Sequence, residues 1–224
     1  MKDNLPNLRL VIGTSSVALY MFIAYLFAST GKLPDDHDIN VYFTSTNWVY
    51  GAGTLYRDIP SEYPLLANVI FSFVRLLTFN ADSTPNTFAL IWIGLNSILF
   101  AGVTIAAIQA NENKRNQFIT LFTWLLPSTI LFSLLRYDIY PATSSFLMMW
   151  YLRKESWIIA ALWLGVTIAL KGYAIFLIPV FFIYLYNKIN IRFALSLAAL
   201  SLTPFLGSLI IVIIFAGINA LFLM

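Results

Sequence analysis

Eight apolar runs separated by short polar stretches dominate this chain: approximately 10–30, 65–79, 88–110, 118–135, 139–152, 156–170, 173–187 and 193–222. In lipid, every backbone N–H and C=O has to be satisfied internally, and a helix does this within a single segment. A spanning helix needs about 20 apolar residues, and most of these runs are long enough with some tilt or shortening. With 60% apolar and 10% charged residues, and a mean hydropathy of +0.81, an ordinary water-soluble core is excluded. The expected fold class is all-α: one membrane domain over 1–224, a polytopic transmembrane bundle.

The first run, about nineteen residues, exceeds the apolar core of a cleaved leader and reads as an anchor. The run 65–79 is shorter and contains Arg75, which suits an interfacial or re-entrant helix. If it does not cross, Lys2, Arg9, Lys114, Arg115, Arg153, Lys154, Lys188 and Arg192 face the cytoplasm, eight basic residues against five. If it crosses, the count reverses. The positive-inside rule prefers the first arrangement. It predicts about seven spans, a cytoplasmic N-terminus, and a long first extracytoplasmic loop over 32–64. Within that loop, 38–50 has few helix breakers, and Gly51 and Gly53 end it. Pro64 is placed in the first turn of the following helix.

Composition removes several kinds of chemistry. There is no cysteine and a single histidine, His37, so disulfides, thiolate sites and a His-type zinc site drop out. The net charge of +3 is scattered at the ends of apolar runs, with none of the clustering a nucleic-acid binder needs. No nucleophile elbow or glycine-rich phosphate loop is present.

Charge beside lipid is expensive and commonly functional, so three polar places stand out. Asp35, Asp36 and Asp38 read either as a base or cation site or as a solvated acidic loop. Arg136 reads as a bidentate phosphate ligand oriented by Asp138, or as an arginine snorkelling to the headgroups. Lys171, between two apolar runs, reads as the ammonium for a phosphate leaving group or as an interfacial anchor. The favoured topology puts all three on the outer side.

The stretches Asp38-Ile39-Asn40-Val41-Tyr42, Gly53-Thr54-Leu55-Tyr56-Arg57-Asp58 and Glu62-Tyr63-Pro64-Leu65 resemble the first outer loop of glycosyltransferase family 87, in the GT-C superfamily of polytopic glycosyltransferases. Arg136-Tyr137-Asp138-Ile139-Tyr140-Pro141, Leu164-Gly165 and Ala169-Leu170-Lys171-Gly172-Tyr173, closing at Pro179, are similar to a second block of that family. Leu55 and Leu65 depart from its prolines, and the chain has about half its usual length, which the resemblance reads as a fragment, a reduced enzyme or an inactive remnant.

The resemblance implies a hexosyltransferase of the cell membrane, mannosyltransferase-like, acting in the cell envelope. Its donor is a polyprenyl-phosphate-linked sugar, and its acceptor is an extracytoplasmic glycan or lipid hydroxyl. Asp38 matches the catalytic loop aspartate. Asp35 and Asp36 are candidates for acceptor or metal binding, with Mg or Mn as the candidate cation. Arg136 and Lys171 are assigned to the donor phosphate, with Tyr42, Arg57, Asp58, Glu62, Tyr63 and Asp138 in support. Two alternatives remain open: a lipid-linked sugar carrier or flippase, whose mid-membrane polar residues would be Asn96, Ser97 and Thr104, and a non-catalytic subunit that completes its site with a membrane partner.

Overall fold

The computed structural model describes residues 5–30, 36–110, 114–124 and 126–222. The fold is all-helical, with no strand among the described residues; one isolated bridge joins Leu55 and Ile59. Eleven α-helices are described: α1 (Leu5–Thr30), α2 (Asp36–Ser45), α3 (Leu65–Leu76), α4 (Pro85–Gln109), α5 (Lys114–Trp124), α6 (Pro127–Leu135), α7 (Ile139–Arg153), α8 (Trp157–Leu170), α9 (Leu177–Tyr186), α10 (Ile191–Leu200) and α11 (Thr203–Ala216). Short 3₁₀ turns occupy Asn47–Tyr50, Gly172–Phe176 and Ile218–Phe222.

The chain divides into two compact units, 1–43 with 77–139 and 44–76 with 140–224. In the first, α4 packs against α1, α5 and α6. Its buried residues fall in pairs one turn apart, from Phe88–Ala89 through Trp92–Ile93 and Asn96–Ser97 to Ala107–Ile108, as expected when a continuous 3.6-residue face is enclosed. Thr84 caps its start and Pro85 follows at the first position, where a missing N–H costs nothing.

In the second unit, α8 is the enclosed helix, with α3, α10 and α11 against it. Ala160, Ala161, Leu164, Gly165 and Ile168 are fully buried or nearly so. A Cβ on Gly165 would lie 2.5 Å from the Ser201 carbonyl oxygen and 2.6 Å from the Pro204 ring, so only glycine allows the helices this close. Met148, Leu152, Phe181, Leu185 and Leu197 fill the surrounding core. Between α7 and α8 the Thr167 hydroxyl donates to Ser144 Oγ at 2.9 Å, satisfying both in apolar surroundings.

Among the described residues, two helical segments are long and apolar enough to cross a membrane: α4 (Pro85–Gln109), and α10 with α11 taken together (Ile191–Ala216). At about 1.5 Å per residue each exceeds the ~30 Å hydrocarbon layer. Seven were expected, and the shortfall has a local reason. Helix ends cut the apolar runs into shorter pieces. The run 118–135 is two helices bent by 60°, because Pro127 lacks the N–H that would continue the ladder. Counting that pair as one broken span raises the number to three. The runs 156–170 and 173–187 yield only the short apolar segments Trp157–Leu170 and Gly172–Tyr186, parted by the extended backbone of Lys171. Pro64 also stands one position earlier than expected: its carbonyl accepts the Asn68 N–H at 3.1 Å, and the helix starts at Leu65.

Candidate functional site

Asp38 and Tyr42 are one turn apart on α2 and therefore share a face. In the first unit that face meets the chain leaving α6. Asp38 Oδ2 lies 3.2 Å from Arg136 Nε. The carboxylate is mostly enclosed and the guanidinium more open, at 19% and 38% exposure. The Arg136 guanidinium also stands 5.1 Å from the Phe132 ring centroid. Phe132 lies one helical turn earlier, and a cation over an aromatic face is favourable.

The backbone around Arg136 is held from several directions. Arg136 itself is extended and its N–H donates to the Phe132 carbonyl at 3.0 Å. The buried Tyr42 hydroxyl accepts the Tyr137 N–H at 3.4 Å, and the two rings meet edge-on at 6.1 Å. Tyr42 also packs on Trp92, with centroids 5.2 Å apart. The Trp92 indole donates to the Leu135 carbonyl, and Asn96 Nδ2 to that of Leu134, each at 2.9 Å. Asp38 and Arg136 were read as separate clusters in the sequence, with Asp138 as the acid beside Arg136. Asp38 is a carboxylate that does meet it. Trp92 and Asn96 were missed as site residues, Asn96 being read only as a mid-membrane polar residue of a carrier. Their i, i+4 spacing inside an apolar run was the available signal.

Several other residues of the expected site fall in the second unit. Asp35 lies outside the described residues, and Asp36 is the first residue of α2. Arg57, Asp58, Glu62, Tyr63 and Lys171 are in the second unit. Lys171 places its ammonium 5.2 Å from the Tyr173 ring centroid. Arg57 and Asp58 pair with each other at 3.0 Å, and Asp58 Oδ2 also accepts the Thr54 N–H at 2.8 Å. The Arg57 hydrogen bond, followed by that N–H, holds the Asp58 carboxyl down at about 2. Gly53, at φ +134°, makes this turn sterically feasible.

The rest of that segment is organised by the fully buried Asn68 of α3. Its Nδ2 donates to the Tyr63 carbonyl at 2.8 Å and the Tyr56 hydroxyl at 2.9 Å, while its Oδ1 accepts from Ser61 at 3.1 Å. Burial pushes the Tyr56 hydroxyl up, against the opposing pull of the Asn68 hydrogen bond. Tyr56 and Tyr63 therefore serve the loop's fold. Glu62 is exposed.

Among the described residues no three His, Asp or Glu side chains gather where a metal could bind, and the carboxylate oxygen of Asp38 facing Arg136 is taken up by a guanidinium. The three mid-run polar residues are engaged locally. Ser97 and Thr104 donate to the carbonyls of Ile93 and Phe100, four residues back on the same helix, and Asn96 donates to Leu134.

An all-helical chain with two helical segments able to span a bilayer and a partly exposed acid–arginine pair is the class that fold and site define. No family model, no curated protein and no solved structure matches it.

Proposed function

We propose that the chain is a multi-pass membrane glycosyltransferase that moves a sugar from a polyprenyl-phosphate donor to an acceptor hydroxyl on the outer side of the cell membrane. The observation that carries this reading is the 3.2 Å approach of Asp38 and Arg136, residues nearly a hundred positions apart. Such a pair places an acid able to take a proton beside a cation able to receive a phosphate. Seven spans, with α3 at the interface, remain the proposed topology.

In the transfer step the acceptor oxygen attacks the anomeric carbon. Its proton passes to the carboxylate oxygen of Asp38 not facing Arg136. The bond from that carbon to the phosphate oxygen breaks, and its electron pair leaves with the polyprenyl phosphate. Arg136 stabilises the charge that develops there, as a planar guanidinium suits phosphate oxygens. Lys171 is kept as a second phosphate ligand on sequence grounds alone.

The test is sugar transfer by the purified full chain, presented with a polyprenyl-phosphate sugar and membrane-derived acceptors. Asp38→Asn is expected to lower turnover about 10²- to 10⁴-fold, the usual range for losing a general base. Unchanged turnover removes Asp38 from the chemistry.

A further inference from the structure

Arg136 stands where α6 ends, and a helix end leaves its last carbonyls without intrahelical donors. Two of these, on Leu134 and Leu135, receive side-chain donors from α4: Asn96 Nδ2 and Trp92 Nε1, each at 2.9 Å. Both donors come from fully buried residues four positions apart, so one face of α4 presents them together. On the other side of Arg136 the Tyr137 N–H donates to the Tyr42 hydroxyl, and Tyr42 itself leans on Trp92. Three backbone groups that bracket Arg136 are thus held by side chains of α2 and α4.

Asn96 carries a second sign of this role. Its Oδ1 is buried and has no hydrogen-bond partner among the described residues, an unfavourable state for an acceptor. Leucine would occupy similar space without that penalty. Flipping the amide would set its oxygen against the Leu134 carbonyl, so the donor side has to face α6. Packing alone does not explain an amide at this position; a fixed position for Leu134 does.

We propose that Asn96 and Trp92, together with Tyr42, are positioning residues that hold Arg136 against Asp38. The proposal rests on the Asp38–Arg136 site described above and is independent of whether that site transfers sugar.

The absence of cysteine from the chain allows a direct test on the full-length protein in membranes. Asp38→Cys and Arg136→Cys are combined, and the rate of cross-linking by a short bifunctional methanethiosulfonate is followed by mass spectrometry. Adding Asn96→Leu, or Trp92→Phe, is expected to slow cross-linking about three- to tenfold, the range for losing one net hydrogen bond. The thermal midpoint in detergent should be retained in both, because Asn96→Leu also removes the unpaired acceptor and Trp92→Phe keeps an aromatic ring. Ser97→Ala, which removes a bond internal to α4, should leave the rate unchanged. Unaltered rates in both α4 variants, or slowing no greater than that of Ser97→Ala, overturn the proposal. No cross-link in the parent pair overturns the Asp38–Arg136 site and the proposal together. Normal cross-linking in the double-cysteine protein, together with no sugar transfer by the unsubstituted chain, removes only the enzymatic reading.

Discussion

Single residues in this chain owe their chemistry to one or two neighbours. Asp58 is held at about 2, below its usual 3.8, by Arg57 and by the Thr54 N–H. A carboxyl depressed in the fold contributes above its unfolded value and loses that contribution as pH falls through the folded one. The turn at 53–59 should therefore persist through mildly acidic pH and loosen only near pH 2. Arg57→Gln should raise the Asp58 midpoint towards the usual value, read from its carboxyl carbon resonance; a midpoint that stays put would assign the shift to Thr54 alone. Gly165 depends on space. Gly165→Ala would drive a methyl into the Ser201 backbone and the Pro204 ring, costing about 1–3 kcal/mol of overpacking, more than the ~1 kcal/mol gained in helix propensity. Gly102→Ala, with nothing within 4 Å of the new carbon, should be neutral or stabilising. Thermal melts of the two variants compare these directly. Gly165 could be read as a motif residue in the sequence, but the carbonyl it faces comes from a helix more than thirty residues further on.

At the scale of elements, α3 encloses its polar residues beside the fully buried Ala67, Phe71 and Val74. Asn68, Ser72 and Arg75 are buried, while Val69, Phe73 and Leu76 are 46–56% exposed. A helix in water would turn the first set outward. The inner set is engaged by side chains and backbone: Asn68 in the loop network, Ser72 donating to the Asn68 carbonyl at 2.7 Å, and Arg75 over the Tyr50 ring at 5.0 Å. Twelve residues give about 18 Å of helix, too short to cross a bilayer. The proposed interfacial placement would set the apolar stripe against lipid. Nitroxides attached to single cysteines at Val69, Phe73 and Leu76 should collide more often with oxygen than with a water-soluble nickel complex. The opposite ratio would place that stripe in water. The length of the run and Arg75 within it already marked α3 as unlike a span. The sense of its amphipathicity was not legible, because a period of apolar and polar residues does not say which face is enclosed.

For the whole molecule, sidedness is the property with the most consequence. The proposed topology sets the loop around Asp82 outside and the loop around Glu155 inside. With Asp82→Cys and Glu155→Cys as single labels in intact cells, an impermeant maleimide should reach the first at once and the second only after permeabilisation. The reverse pattern would mean that α3 crosses and that the eight-to-five division of basic residues does not govern insertion.

The sequence by itself determined that the chain is helical, where most helices begin and end, and that acids and bases gather between apolar runs. These are local consequences: backbone hydrogen bonds close within four residues, and proline, glycine and apolar period act over a turn or two. The tertiary structure alone decided that Asp38 meets Arg136, that Asn96 and Trp92 secure the end of α6, and that α3 turns its polar face inward. Those outcomes depend on which side chains packing brings within 3 Å of one another, and chain separation carries no such information.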